Sequence, residues 1–182
     1  MGWRSNGTKT IHVEAATPGV VLDHMTETAD SAGTLVRPPI AWAIAFVAGL
    51  AADWLIPLPF VPEGMRGAWL GSAVLIFGLG LALAIWAIAT IRRAGTRVET
   101  YKPTTTIVAE GPFRFTRNPI YIGMLLGQIG LAVGFDSLWI LIMLVPFYLV
   151  IRYGVVAREE AYLEHKFGDV YLGYKSRVRR WL

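Results

Sequence analysis

Four stretches almost empty of charge dominate this chain. Pro38–Pro62 carries one charge, Asp53, and Gly67–Ile91 carries none. Asn118–Phe135 carries none, and Ser137–Ala157 carries one, Arg152. A helix that crosses a bilayer needs ~20 mostly apolar residues. The stretches therefore predict four transmembrane helices, at about 39–57, 68–91, 119–135 and 137–157, the third being the shortest. A soluble bundle would alternate apolar and polar faces with the helical period, and none of the four does. The predicted fold class is all-α, an integral membrane helical bundle. Composition agrees, since 16% of residues are charged where a soluble domain carries about 25%.

The charges that remain predict an orientation. Lys and Arg number 17 against 13 Asp and Glu. Arg66 is the only basic residue in the connections between the first and second and between the third and fourth spans. The other basic residues fall in the N-terminal tail, the 92–117 connection, the end of the fourth span and the C-terminal tail. The positive-inside rule then places both termini and the 92–117 connection in the cytoplasm. Trp54, Trp69 and Trp139 fall near the predicted outer ends, and Trp42 and Trp86 near the inner ends, as an aromatic belt requires. Topology accounts for the basic balance, so it does not argue for a nucleic-acid partner. There is no cysteine, which excludes disulfides, thiolate metal sites and a cysteine nucleophile. The three histidines, His12, His24 and His165, are too scattered for a zinc site, and no metal is expected.

Residues 1–37 are polar and lack a signal-peptide core, so they read as a disordered cytoplasmic tail ahead of a membrane domain at 38–182. Within the tail, Met25 opens MTETADSAG, a segment that looks like a protein start. In the third span, Gly123, Gly127, Gly130 and Gly134 recur at spacings that share one side of a helix. Small residues there allow close helix packing or the approach of a ligand. Asp53 lies near the outer interface and reads as structural.

Two polar segments carry chemistry. The first is EGPFRFTRNPIYIG, residues 110–123. Asn118 followed by Pro119 is a helix start, with Asn as N-cap and Pro at the first helical position. The open N–H groups of that helix end attract anions, and Arg114 and Arg117 add positive charge. Tyr121 lies one turn inside. The second segment runs from Arg158 to Leu182 and reads as an amphipathic, interfacial stretch. Gly168-Asp169 divides it into two helices. Glu159 and Glu160 sit at the end of the fourth span, where carboxylates next to anionic headgroups want a cation. Arg152, two turns earlier, is a candidate partner, or the pair lines a ligand site.

Together these segments resemble the membrane methyltransferases of the isoprenylcysteine carboxyl methyltransferase and phospholipid N-methyltransferase type. The family pattern is G-P-x-R-x-x-R-H-P-x-Y-x-G, a hydrophobic hairpin, then E-E-x-x-L-x-x-x-F-G-x-x-Y-x-x-Y. Here Gly111 to Gly123 supply the first part, and Glu159, Glu160, Leu163, Phe167, Gly168, Tyr171 and Tyr174 the second. The resemblance covers about residues 85–182. It implies S-adenosylmethionine as methyl donor, at the cytoplasmic end of the last spans and under the C-terminal segment. Carried over by position, Arg117, Asn118, Pro119, Tyr121, Gly123 and Glu160 belong to the cofactor site. Glu159, Glu160 and Arg152 are the candidate catalytic residues. Asn118 stands where the family usually has histidine; it can hydrogen-bond but not titrate near neutral pH. Val155 and Val156 occupy the place of the family's arginine one turn before the glutamates, with Arg152 as stand-in.

The implied reaction needs mainly in-line positioning of donor and acceptor. An amine or thiol acceptor must also lose a proton, and a glutamate could take it, whereas a carboxylate acceptor needs no base. The expected acceptor is lipophilic or amphiphilic and enters from the bilayer. The expected location is a bacterial inner membrane with the site on the cytoplasmic face. The competing readings are an NADPH-dependent reductase of the sterol-reductase type, with its 2′-phosphate on Arg114 and Arg117, and a non-enzymatic membrane protein.

Overall fold

A computed structural model describes residues 32–96 and 104–182. Five helices organise them: α1 (Pro38–Leu55), α2 (Arg66–Arg93), α3 (Pro119–Gly134), α4 (Leu138–Phe167) and α5 (Asp169–Arg177). The described residues are helical or connecting, with no strand beyond a single bridge between Thr116 and Arg179. The chain is an integral membrane protein. Large side chains that a soluble protein would bury, such as Ile44, Trp54, Val74, Leu75 and Leu79, face outward along α1 and α2.

Among the described residues three helices, α1, α2 and α4, are long and apolar enough to cross, and the third expected span is the shorter apolar helix α3. Helix α3 has 16 residues, or about 24 Å at ~1.5 Å per residue, against ~30 Å of hydrocarbon. Its ends are set locally. Pro119 starts it, and at the far end Asp136 turns the chain back with φ 53°. Oδ1 of Asp136 accepts the N–H groups of Phe60 (2.8 Å) and Val61 (2.7 Å), which ties the α1–α2 connection to the α3–α4 turn. Asp53 accepts the Leu58 N–H at 3.4 Å, a structural contact within the same connection.

Helices α2 and α3 cross with their backbones nearly touching. A Cβ placed on Gly80 would lie 2.6 Å from the Gly123 carbonyl oxygen, and one on Gly123 would lie 2.6 Å from that of Gly80. A Cβ on Gly130 would lie 2.7 Å from the Phe77 nitrogen. Close approach without a side chain maximises dispersion contact where lipid supplies no hydrophobic drive. Helix α1 makes the same kind of contact with α4, since a Cβ on Gly49 would lie 2.8 Å from the Ile140 Cα.

Helix α4 has 30 residues, about 45 Å, so it outruns the hydrocarbon and carries its last turns beyond it. It is irregular where Pro146 removes a backbone donor and again at a π-helical stretch, Val150–Val156. There the Gly154 carbonyl accepts the Leu35 N–H at 3.1 Å, and Arg158 Nη1 donates to the Gly33 carbonyl at 2.9 Å. The last residues of the segment read as tail thus lie against α4. The rest of that tail, including Met25, lies outside the described residues.

Candidate functional site

The elements that gather at the basic end of the bundle are the entry to α3, the last turns of α4, and α5. Gly168, at φ 50°, lets the chain reverse after α4 as the Gly-Asp pair predicts. Helix α5 then folds back over the start of α3. The Tyr174 hydroxyl donates to the Phe113 carbonyl at 2.9 Å, and Lys175 pairs with Glu164. A cavity of about 170 Å³ lies among these elements, the end of α2 and residues 104–108. Arg117, Asn118, Pro119, Tyr121, Glu159 and Glu160 all line it, joined by Tyr171 and Tyr174.

The two glutamates differ in their partners. Glu160 is buried and held by two guanidinium groups. Arg180 donates from Nε to Oε1 at 3.0 Å and from Nη2 to Oε2 at 2.6 Å, while Arg117 Nη2 lies 3.0 Å from Oε1. Two-point arginine–carboxylate pairing fixes orientation as well as charge. Glu159 has no cationic partner among the described residues. Its Oε1 accepts only the Tyr121 hydroxyl, at 2.8 Å. A carboxylate of this kind, drawn out of water and without a counter-charge, can take up a cation or a proton. Glu160, already saturated, is a fixed part of the wall.

Arg117 is anchored at several points. Its backbone N–H donates to the Arg179 carbonyl at 2.9 Å and its Nη1 to the Lys175 carbonyl at 3.3 Å. Asn118 occupies the N-cap position of α3, but its side chain does not cap the helix. Its Nδ2 donates instead to the Arg180 carbonyl at 2.8 Å, and its own N–H is satisfied by Thr116 Oγ1 at 3.2 Å. The Thr116 hydroxyl also bonds the Arg180 carbonyl, at 3.2 Å. Asparagine thus meets, as a neutral donor, a demand that a histidine N–H could also meet.

Two of the sequence-derived candidates lie elsewhere. Gly123 faces the α2 crossing, against Gly80 and Ala84, so it is a packing residue and not part of the cavity wall. Arg152 bonds the Tyr148 hydroxyl at 2.9 Å and lies over the Tyr148 and Tyr153 rings, away from both glutamates. The reason is the π-helical stretch: its wider turn shifts the register, so residues seven and eight apart no longer share a face. The cation expected from Arg152 comes from Arg117 and Arg180. Arg180 was missed because it lies 20 residues from Glu160. The one available signal was a buried-looking glutamate pair followed by a tail rich in arginine. Tyr171 and Tyr174, quoted only as family positions, form cavity wall. Burial, and for Tyr171 also the Glu160 carboxylate, raises both hydroxyls above the usual tyrosine range, so they stay protonated.

Comparison with known proteins fits this arrangement. The family model for phospholipid methyltransferase matches residues 69–170, more than half of the chain, and takes in the first polar segment whole and the second as far as Val170. The chain belongs to the phospholipid methyltransferase family. It is also similar to an uncharacterized protein of Haemophilus influenzae, 64% identical over 36 residues, which are 20% of this chain and 57% of that protein. No solved structure matches the chain. The family's matched region includes most of α2, all of α3 and the α4 glutamates, and stops before Arg180.

Proposed function

We propose that this protein is an integral-membrane methyltransferase that takes its methyl group from S-adenosylmethionine and passes it to a lipophilic or amphiphilic acceptor. Its site would face the cytoplasm of a bacterial cell, at the basic end of the bundle. The observation that carries the reading is Glu159, a cavity carboxylate whose only bond among the described residues is the Tyr121 hydroxyl. The donor's chemistry matches this set: when bound, it supplies an activated methyl on a positively charged sulfur, beside an ammonium group. Glu159 would hold the positive charge, and the rings of Tyr121 and Tyr171 offer cation–π faces. Glu160 stays locked between Arg117 and Arg180 and keeps the wall in shape, so acceleration comes chiefly from orientation.

The same asymmetry bears on the acceptor. With an amine or thiol acceptor, Glu159 is the group able to receive its proton, because Glu160 has both oxygens engaged. The reductase reading loses its anion-binding residues. Arg117 commits its guanidinium to Glu160, and Arg114 is not among the residues that line the cavity.

The test is transfer of labelled methyl from S-adenosylmethionine into a total lipid and metabolite extract, with donor affinity measured by calorimetry on the detergent-purified protein. Glu159→Gln keeps the shape and removes the charge. Charge-assisted bonds contribute about 1.5–3 kcal/mol, so donor affinity should fall about tenfold or more. Absence of any label in the extract, or a Gln variant that binds as tightly as the parent, would overturn the proposal.

A further inference from the structure

Arg180 is held at both of its ends. Its guanidinium grips Glu160 at two points, at the close of α4. Its carbonyl accepts from Thr116 Oγ1 and Asn118 Nδ2, at the entry to α3. The neighbouring Arg179 carbonyl accepts the Arg117 N–H. Trp181 continues along α4, with its ring 5.3 Å from that of Tyr148. The tail after α5 is therefore a strap joining three of the elements that line the cavity.

We propose that Arg180 is a positioning residue: it ties the C-terminal strap across the entry of α3 and the end of α4, holding Glu160 and α5 so that the cavity keeps its shape. The physical case is one of constraint. Helix α5 enters through the Gly168 turn, where a positive φ marks a sharp reversal and not a rigid continuation of α4. Its other ties are the Tyr174–Phe113 bond, the bond from Arg117 Nη1 to the Lys175 carbonyl and the half-exposed Lys175–Glu164 pair. A half-exposed ion pair contributes little by itself. The Arg180 side chain is itself 34% exposed, but its grip is better placed, because it is two-point and its carboxylate is 7% exposed and shared with Arg117, which is 9% exposed. Removing Arg180 frees the strap, loosens the wall formed by Tyr171 and Tyr174, and leaves Glu160 to Arg117 alone. Lysine would restore the charge but not the two-point fork.

The test uses the full chain in detergent, with R180Q, R180K and, as a control for loss of one tail charge, R177Q. Arg177 is exposed and among the described residues bonds only its own helix, through Nε to the Gly173 carbonyl. Two readouts are taken: amide hydrogen exchange over 169–182 and at Arg117, and S-adenosylmethionine affinity by calorimetry. In R180Q the exchange of those amides should quicken about tenfold while α1–α3 keep their protection. Donor affinity should fall about tenfold, since loss of positioning is costly in a site of this kind. R180K should recover affinity to within about threefold of the parent, and R177Q should match the parent. If R180Q exchanges and binds like R177Q, the proposal is wrong. If R180Q fails to fold, R180K decides: strap amides as protected as in R177Q would overturn the proposal, and intermediate protection would support it. Only the affinity readout rests on the methyltransferase reading. A parent protein that binds no donor would sink that reading, while the exchange readout would still decide the role of Arg180.

Discussion

Replacing Gly123 by alanine should weaken the α2–α3 crossing while leaving the cavity chemistry untouched. The new Cβ would lie 2.6 Å from the Gly80 carbonyl oxygen and 3.0 Å from the Ala84 Cβ. Even a weak C–H···O contact needs about 3.3 Å, so the helices must part by roughly 0.7 Å. A gap of that size forfeits about a quarter to a half of each dispersion contact it opens. Overpacking of this kind costs about 1–3 kcal/mol, offset by about 0.5–1 kcal/mol from the better helix propensity of alanine. The net expectation is a loss of about 1 kcal/mol, within a range of about 0–2.5 kcal/mol. Gly78→Ala is the matched control, because nothing lies within 4 Å of its Cβ position, and it should be neutral or slightly stabilising. Unfolding by SDS titration, followed by tryptophan fluorescence, reads both. Gly80→Ala should resemble Gly123→Ala, and the double variant should cost less than the two losses combined, since one separation relieves both clashes. Equal midpoints for Gly123→Ala and Gly78→Ala would refute the close crossing and reopen Gly123 as a cavity residue.

Asp136→Ala removes the acceptor of two short bonds from the Phe60 and Val61 N–H groups, with a loss of about 1–2 kcal/mol expected in the same titration. Asp136→Gly should lose less, because glycine adopts φ 53° without strain. The buried hydroxyls of Tyr171 and Tyr174 are raised by desolvation first, so the unfolded chain should ionise them near pH ~10 while the folded one keeps them neutral. Their contribution to stability is then fully present below about pH 10 and is lost as the pH climbs above it. Tyr171→Phe should flatten that alkaline decline, as SDS midpoints measured across the pH range would report.

Much of the fold was legible because its cause is local. The lengths of the apolar stretches, Pro119 at a helix start and Gly168 at a break act over a few residues and do not depend on distant partners. The count of spans was less legible, because a turn at Asp136 shortened α3 and an irregular α4 ran on past the bilayer. In the site, the positions that line the cavity follow from motif order, but their roles do not. Gly123 has the spacing of a ligand-facing glycine and also that of a packing glycine, and only the neighbouring helix distinguishes them. Arg152 was placed by assuming 3.6 residues per turn, which the π-helical stretch does not keep.

By itself the sequence determined that this chain enters a membrane, where its helices begin and break, and which end gathers the charged motifs. Apolar length, proline and glycine act through the chain's own backbone, so the sequence carries them in full. Only the tertiary structure decided which of two adjacent glutamates is bound and which is open. That depends on Arg117 and Arg180 reaching Glu160 from either side, across 43 and 20 residues of chain. Charge pairing is set by distance in space, and the fold alone brings those three groups together.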